Sequence, residues 1–394
     1  MESCSGKHIY TVIPSLFLQL WGVVSISKVK FGFYLVEPVG LEDALKYGVE
    51  AEKWGFDVVA ACENLFWWTP GQSSVWDNFT VLNAVMNRTR KIKIMTDVID
   101  PVKRHPAVVA HMLATMDNIG KGRIQGVGIG AGEIANFGPL LDLNGPRKPA
   151  EMIIRLREFV TVMRGVWNST QMNPFSFDGN YFKVKDAFLS LKPFTKPHPP
   201  IYLAALGPKM RKLAGEIANG WIPLTHAAEV YKKDVEEIAN SAKSAGRDPN
   251  AIDTGLTIYT SVLKDSDRAK KMGVVRGRLD LAARPALLKD LGYESLAEEL
   301  KILNWATRDG PVTENVSRAK DSHDRAINEI PEEATRKVNI CGNPDEAIEK
   351  IEGFMEAGAR LFILWPPYEE KDALQETIRN YRNKILPYFG KKRK

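Results

Sequence analysis

The chain has 394 residues, of which 44% are hydrophobic and 26% charged, a composition that is ordinary for a globular protein and excludes disordered, collagen-like and coiled-coil chains. The formal net charge is +6, but residues 391–394 carry four of these charges and the first 28 residues carry one. The body is therefore nearly neutral and lacks the large basic face that nucleic-acid binding needs.

Residues 1–28 form an unusual start. No charged residue occurs from Ile9 to Ser27, yet Pro14 and Gly22 dilute the stretch of about 20 apolar residues that a membrane span requires. A secretory signal would need a positive leader and a small-x-small cleavage site, and neither is present. We interpret residues 1–28 as an extension outside the barrel, with a membrane anchor and a signal as the two alternatives.

After residue 28 the pattern alternates between strand and helix. Strands are predicted at 28–35, 56–62, 91–98, 123–130, 200–206, 220–224, 254–263 and 360–365. Helices are predicted at 41–55, 76–89, 106–120, 149–167, 208–219, 229–246, 343–359 and 372–386. The strands are apolar on both faces, as in a parallel sheet with helices on both sides. Eight such units without a polar edge strand favour an α/β fold of the closed (β/α)8 TIM-barrel type over an open doubly wound sheet.

Two insertions interrupt the alternation, after strands four and seven. Residues 168–199 are polar and proline-rich and predict a small hairpin, and residues 264–335 are mostly helical. We expect both insertions on the side of the barrel where loops build the active site. The predicted domain is thus a barrel over 29–388, followed by a basic tail at 389–394.

The glycine-rich run GVGIGAGE at 126–133 allows three interpretations. With Glu151 farther on, the run matches a dinucleotide-binding fingerprint. That motif must open a helix, however, and helix-breaking residues follow the run in this chain. The glycines could instead let a barrel strand end tightly. The third interpretation is a cofactor loop at the barrel mouth, with Gly130 and Gly132 lining it and Glu133 facing the ligand.

Other candidates lie at strand ends, where barrel enzymes place their chemistry. Glu63 and Asn64 follow strand two, and the aromatic run 66–68 after them is either a buried plug or a stacking wall for a flat ligand. Asp97 and Val98 end strand three, and a turn with the basic residues 103 and 104 follows them. The alternative interpretation of this segment is an ordinary turn with two solvated basic side chains.

The end of strand five predicts an anion site. Gly207 and Pro208 open a helix there and Lys209 lies beside its start, and the free N–H groups at a helix N-terminus suit an anion. The alternative is an ordinary helix start with proline in its first turn.

Metal and nucleophile chemistry find no support in the sequence. Cys4, Cys62 and Cys341 lie far apart without a C-x-x-C pair, and the six histidines show no metal-ligand spacing. This excludes a disulfide scaffold and a cysteine zinc site and fits a reducing compartment, so we expect a cytoplasmic protein without a metal. No serine or cysteine triad is recognisable.

Taken together, these residues resemble the bacterial luciferase-like superfamily and, within it, the branch that uses the deazaflavin coenzyme F420. The resemblance covers residues 29–388, and its most specific pieces are AEKWGFD, RHPAVVAHMLATMDNIGKGRIQGVGIGAGE and IYLAALGPKMRKLAGEIANGWI. Within this branch, the chain is similar to methylenetetrahydromethanopterin reductases and phthiodiolone-type ketoreductases. The resemblance implies a (β/α)8 barrel and hydride transfer at the deazaflavin without a metal.

The resemblance also implies roles for single residues. Asp97–Val98 falls on the family's non-prolyl cis peptide, which forms a bulge behind the coenzyme ring. Glu133 matches a glutamate near the reacting centre, Trp68 matches an active-site aromatic residue, and residues 207–209 fall in the loop that takes the coenzyme phosphate. The predicted catalytic residues are Glu133, Asn64 and Trp68, and the predicted coenzyme contacts are Glu63, Asp97, Val98, Gly130, Gly132, Gly207, Pro208 and Lys209.

Two positions depart from the family pattern. Many members carry Asp-His where this chain has Glu63-Asn64, and an amide cannot titrate, which excludes a histidine acid/base step there. The methylene reductases tend to carry a carboxylate where Tyr34 stands. The substrate assignment is therefore weaker than the coenzyme assignment, and the long segment 264–335 is more similar to the ketoreductases.

We therefore predict an F420-dependent oxidoreductase that acts on a small organic molecule. The first alternative is an FMN-dependent monooxygenase on the same barrel, and the second is a ligand-binding barrel without activity. We also expect a homodimer or larger oligomer, formed through the helices at 76–89 and 106–119, and no nucleic-acid partner.

Overall fold

The fold is seen in a computed structural model that describes residues 29–36, 40–65, 76–132, 149–302 and 328–391, together with 317, 321 and 324–326. The strands of these ranges are β1 (Lys30–Leu35), β2 (Val58–Ala61), β3 (Lys93–Ile99), β4 (Ile124–Ile129), β5 (Phe175–Asp178), β6 (Lys183–Ala187), β7 (Ile201–Leu203), β8 (Gly220–Trp221), β9 (Asp253–Val262), β10 (Ile340–Gly342) and β11 (Leu361–Trp365).

Eight parallel strands close into a barrel. Their order is β1, β2, β3, β4, β7, β8, β9 and β11, and the pairing of β11 with β1 closes the ring. The register at closure pairs Lys30 with Leu361 and Phe33 with Leu364. The predicted (β/α)8 TIM barrel is confirmed, with all eight predicted strands present.

Helices follow the barrel strands and cover their outer face. They are α1 (Leu41–Trp54), α2 (Asn78–Arg88), α3 (Pro106–Gly120), α4 (Pro149–Asn168), α5 (Pro208–Ile217), α6 (Ala228–Ser244), α7 (Ser266–Ala282), α8 (Pro285–Asp290), α9 (Glu294–Ile302), α10 (Glu332–Lys337), α11 (Pro344–Glu356), α12 (Lys371–Asn380) and α13 (Leu386–Lys391). A 3-10 turn at Pro249–Ala251 precedes β9, and a π-helical turn at Tyr381–Ile385 joins α12 to α13.

The barrel strands bury both of their faces. Phe31, Phe33 and Leu35 of β1 pack against the helices, whereas Tyr34 faces the barrel interior together with Val36. Successive side chains of a strand point to opposite faces, so the alternation divides a continuous apolar run between two clusters. The larger cluster lies between strands and helices, and the smaller one fills the interior, which is the arrangement of a packed barrel.

A strand that the sequence did not predict follows the second insertion. Helices α7 to α9 follow β9, and after α10 the chain forms β10, which pairs in parallel with the last residues of β9. The long strand β9 thus extends beyond the ring and carries a ninth strand at its carboxyl end, with Ile340 opposite Thr260.

The first insertion does not lie where we expected it. Residues 169–200 follow α4 rather than β4 itself, so they leave from the amino end of the barrel strands. The N–H of Thr195 donates to Asp117 at 2.7 Å, and Asn118 donates to the carbonyl of Lys192 at 2.7 Å. Asp117 and Asn118 both lie near the end of α3, just before the chain enters β4. The expectation that this insertion lies at the active-site end is wrong, although the predicted hairpin exists as β5 and β6.

The last helix extends into the segment that was predicted to be a basic tail. Helix α13 continues to Lys391, and Phe389 is buried with its ring 5.4 Å from that of Phe31. Phe389 therefore packs in the barrel core, although it falls in the predicted basic tail 389–394. Within the described ranges, no helix combines the length and the hydrophobicity that crossing a lipid bilayer requires.

Candidate functional site

The predicted site residues gather at one end of the barrel. All eight strands are parallel, so their carboxyl ends lie together. Glu63 and Asn64 follow β2, Asp97 and Val98 lie near the end of β3, and the glycines of 130–132 follow β4. Residues 207–209 follow β7 on the same end. Glu133 and Trp68, in contrast, lie outside the described residues.

A bulge at the end of β3 is the most distinctive backbone feature of this end. The peptide bond between Asp97 and Val98 is cis, as the resemblance implied. The register between β3 and β4 shifts between Thr96 and Ile99, which marks the bulge. A Cβ atom on Gly128 would lie 2.3 Å from the carbonyl oxygen of Thr96, so β4 accepts the bulge only because this residue is glycine.

The glycine-rich run therefore belongs to a barrel strand and not to a dinucleotide fold. Gly126 faces the ring of Tyr202, which a Cβ would approach to 2.6 Å. The N–H of Gly130 donates to the carbonyl of Ile99 at 2.9 Å and ties the end of β4 to the bulged strand. Gly132 has a φ of +101°, a conformation that favours glycine. Of the three interpretations, the dinucleotide fingerprint is wrong, because β4 is a strand of a closed barrel, in which it lies between β3 and β7.

The carboxyl group of Asp97 lies inside the barrel. Asp97 is only 6% exposed, and its Oδ2 accepts a hydrogen bond from the Thr257 hydroxyl at 2.5 Å. The Tyr34 hydroxyl donates to the Asp97 carbonyl oxygen at 2.8 Å. Burial raises the pKa of the Asp97 carboxyl to about 7, because desolvation disfavours the charged form. The bulge thus carries an acid that is partly protonated near neutral pH.

Glu63 anchors the turn after β3. Its side chain is fully buried, its Oε2 accepts from the N–H of Asp100 at 2.9 Å, and its Oε1 lies 3.1 Å from the ammonium group of Lys103. Arg104 donates to the same carboxylate and reaches Asp77 at 2.5 Å with its other nitrogen. The alternative of a solvated basic pair is wrong, since these two side chains are only 14% and 19% exposed.

Asn64 lies beside this network at the carboxyl end of β2. Its amide nitrogen is 3.8 Å from the Cys62 sulfur, within range of a weak hydrogen bond. Cys62 is itself buried among the interior side chains. This position therefore contributes a polar but non-titrating group to the site.

Helix α5 presents its N-terminus at the same end. Gly207 is the N-cap and Pro208 the first helical residue, and no side chain caps the helix. Gly207, Pro208 and Lys209 are all exposed. An uncapped helix start with a neighbouring cation is an arrangement that accepts an anion.

The sequence analysis did not single out Arg276 and Trp365. The Arg276 guanidinium carbon lies 3.6 Å from the centre of the Trp365 ring, and that ring packs at 5.6 Å against Tyr34. Trp365 is the last residue of β11 and Arg276 belongs to α7. The only available signal was an aromatic residue at a strand end, because the two positions are far apart in sequence.

Apart from this end of the barrel, a cavity of about 690 Å³ on its flank is lined by charged side chains of α10, α11 and their neighbours. It contains none of the predicted site residues. Within the ranges described above, no group of three or more His, Cys, Asp or Glu side chains is placed to hold a metal ion.

The chain is similar to known proteins in both sequence and fold. The family model described as luciferase-like monooxygenase matches residues 24–361. An F420-dependent glucose-6-phosphate dehydrogenase from Microbacterium testaceum is 28% identical, over 90% of this chain and 96% of the relative. A 5,10-methylenetetrahydromethanopterin reductase from Methanopyrus kandleri is 25% identical, over 92% of this chain and 99% of the relative.

One solved structure extends this likeness to three dimensions. It is an F420-dependent secondary alcohol dehydrogenase in complex with an F420-acetone adduct. The two chains are 26% identical with a TM-score of 0.73, over 90% of this chain and 97% of the other.

Proposed function

Because the chain belongs to the luciferase-like monooxygenase family, we propose that it is a coenzyme F420-dependent oxidoreductase. It would transfer a hydride between the deazaflavin and a small organic substrate. Two of the relatives named above support this coenzyme, since their names describe F420-dependent enzymes and they are 28% and 26% identical to this chain. The observation that carries the proposal is the uncapped start of α5 with Lys209 beside it, at the end of the barrel where enzymes of this fold bind their ligands.

The residues around the bulge fit the ring of such a coenzyme. Val98 lies in the bulge against Gly128 and Gly130, and the interior beside it is lined by Tyr34 and Trp365. Flat ligands bind to largely apolar walls with a few polar groups. In this proposal Val98 supports one face of the ring, and the glycines leave it room.

The helix start at α5 fits the coenzyme phosphate. Its first N–H groups have no side-chain cap, and Lys209 adds a positive charge. Gly207 has no atom within 4 Å of the position that a Cβ would take, so this loop is open on that side. A phosphate accepts hydrogen bonds from such N–H groups and is attracted by the helix dipole.

When bound, the coenzyme supplies a two-electron centre that accepts or donates a hydride. The protein contributes positioning, because holding two reacting carbons near contact distance lowers the barrier. Asp97 places in the barrel interior a carboxyl whose pKa burial raises to about 7, and Glu63 fixes the turn that follows the bulge. Asn64 cannot exchange a proton, so we assign proton exchange with the substrate to Glu133.

A turnover assay tests this function. The purified protein is mixed with oxidised F420 and a panel of alcohols, or with reduced F420 and a panel of carbonyl compounds, and the deazaflavin absorbance is followed. We expect substrate-dependent change of the coenzyme absorbance with at least one compound. Oxygen consumption with reduced FMN and no turnover of F420 would instead identify an FMN-dependent monooxygenase.

A further inference from the structure

Two buried hydrogen-bond donors at the carboxyl end of the barrel have no acceptor. They are Nε of Arg276 and Nε1 of Trp365. A buried donor without a partner costs about 1–3 kcal/mol, so native proteins rarely keep one without a reason. Two in contact with each other point to a group that binds there.

The pair lies next to the proposed coenzyme site. Trp365 is only 4% exposed, and its ring packs against Tyr34 at 5.6 Å. The Tyr34 hydroxyl donates to the carbonyl oxygen of Asp97 in the bulge. The Arg276 guanidinium carbon lies 3.6 Å from the centre of the Trp365 ring. A ligand held by this pair would thus stand beside the bulge.

The guanidinium of Arg276 is held in place by groups that leave its Nε unused. One terminal nitrogen lies 2.6 Å from Oδ1 of Asp280, and Oδ2 of Asp280 accepts from the Thr225 hydroxyl at 3.1 Å. This ion pair fixes one terminal nitrogen of Arg276 and leaves its Nε without an acceptor.

We propose that Arg276 and Trp365 recognise an oxyanion group of the substrate, a carboxylate or a phosphate. This proposal rests on the proposed oxidoreductase function and names the class of its substrate. An arginine fork matches the two oxygens of such a group, and the indole N–H is a donor only. The Arg276 side chain is 18% exposed and lies over Trp365, so the ligand enters from the side of Arg276. The site is separate from the anion site at α5.

Acetate and inorganic phosphate are the probes for the first test. They are titrated by calorimetry into the F420-loaded protein, in which the coenzyme phosphate fills the other anion site. We expect at least one of them to bind, and binding to weaken about 10- to 100-fold in both Trp365→Phe and Arg276→Lys, since each variant removes one hydrogen bond to a charged group. Preference for acetate or for phosphate then identifies the source of the oxyanion.

Two controls make the test specific. Arg268→Lys changes an exposed arginine of the same helix that pairs with Glu370 and Asp372, and it should leave probe binding unchanged. Acetamide, the neutral counterpart of acetate, should bind much more weakly. Equal binding of acetamide and acetate, or unchanged acetate and phosphate binding in both site variants, would overturn the proposal.

Failure of this inference and failure of the proposed function have different signatures. F420 affinity is measured on the same samples, and we expect it to be retained in Arg276→Lys, because Arg276 is not among the residues proposed to line the coenzyme site. If the wild-type protein binds no F420, the proposed function fails, and the titrations are repeated in Lys209→Ala, which weakens the other anion site. Circular dichroism checks each variant, and if Trp365→Phe does not fold, Arg276→Lys decides.

Discussion

Asp97 combines an unusual backbone with an unusual environment. Its carboxyl lies in the barrel interior with the Thr257 hydroxyl as its hydrogen-bond donor, and no cation is among the causes that set its pKa. An isolated buried carboxylate is costly to ionise, and the group therefore titrates near neutral pH. This makes Asp97 a residue whose influence on the protein can be measured without a substrate.

We predict that Asp97→Asn changes the pH dependence of stability. The folded pKa is about 7 and the ordinary value is 3.8, so between these values the folded state binds more protons than the unfolded state. The wild-type protein therefore loses stability as pH rises from about 4 to about 7, by up to on the order of 4 kcal/mol. Urea unfolding at pH 5 and pH 8 measures this loss.

The asparagine variant should not show this loss, and its advantage over the wild type should be larger at pH 8 than at pH 5. Thr257→Val serves as a control that removes the hydroxyl donor and retains the acid. Parallel stability profiles for wild type and Asp97→Asn would show that the carboxyl is solvated or paired.

Glu133 is the residue on which the proposed proton exchange depends. It follows the glycine run directly, so it is expected at the mouth of the barrel. Glu133→Gln keeps the shape and removes the charge. We predict that turnover falls about 10²–10⁴-fold, the usual range for a positioned acid or base, with nearly unchanged coenzyme affinity. Steady-state kinetics and coenzyme titration measure the two effects, and unaltered turnover would leave this glutamate a structural role.

The contacts of Glu63 show what sequence reasoning could not reach at the residue scale. Its position after a buried strand predicted a polar group at the barrel mouth, and that placement agrees with the structure. Its partners Lys103, Arg104 and Asp77 come from two other segments, and their pairing depends on the closure of the barrel. The same reason hid Arg276 and Trp365, which are far apart in sequence and meet only in the folded barrel.

At the scale of single elements, helix α5 carries the most specific claim. We predict that Lys209→Glu weakens F420 binding about three- to tenfold at low salt, because it places a negative charge beside the proposed phosphate site. The effect should shrink as ionic strength rises. Fluorescence titration at several salt concentrations measures it.

Lys212→Glu is the matched control for this variant. It makes the same charge change on the same helix, about one turn farther from the N-terminus, where an exposed side chain contributes less. Equal weakening in both variants would mean that only the net charge matters and that the helix start does not bind the phosphate.

The elements themselves were predicted with uneven success for physical reasons. The eight barrel strands lie in apolar runs between helices, a pattern that is typical of a parallel sheet covered on both faces. Strand β10 follows a helical insertion and lies between Asn339 and Asn343 rather than in a longer apolar run, so no pattern marked it as a strand. The hairpin of β5 and β6 was predicted, but its end of the barrel depends on α4 running back along the strands.

At the scale of the whole molecule, we predict a homodimer or larger oligomer. Helix α3 exposes Val108 at 53% and Ile119 at 46%, which is consistent with an interface on this helix. Light scattering at micromolar concentration should give at least twice the monomer mass, and Val108→Glu with Ile119→Glu should lower it. Met172→Glu, at a residue that is 93% exposed on the first insertion, is the control. A monomer mass for the wild-type protein would contradict the prediction.

The central claim concerns the coenzyme, and an equilibrium titration tests it most directly. The purified protein is titrated separately with F420 and with FMN, and both affinities are measured under identical conditions. The F420-dependent relatives, the glycine end of β4 and the uncapped start of α5 lead us to predict selective binding of F420, with a dissociation constant in the micromolar range or below. Binding of FMN without binding of F420 would contradict the account.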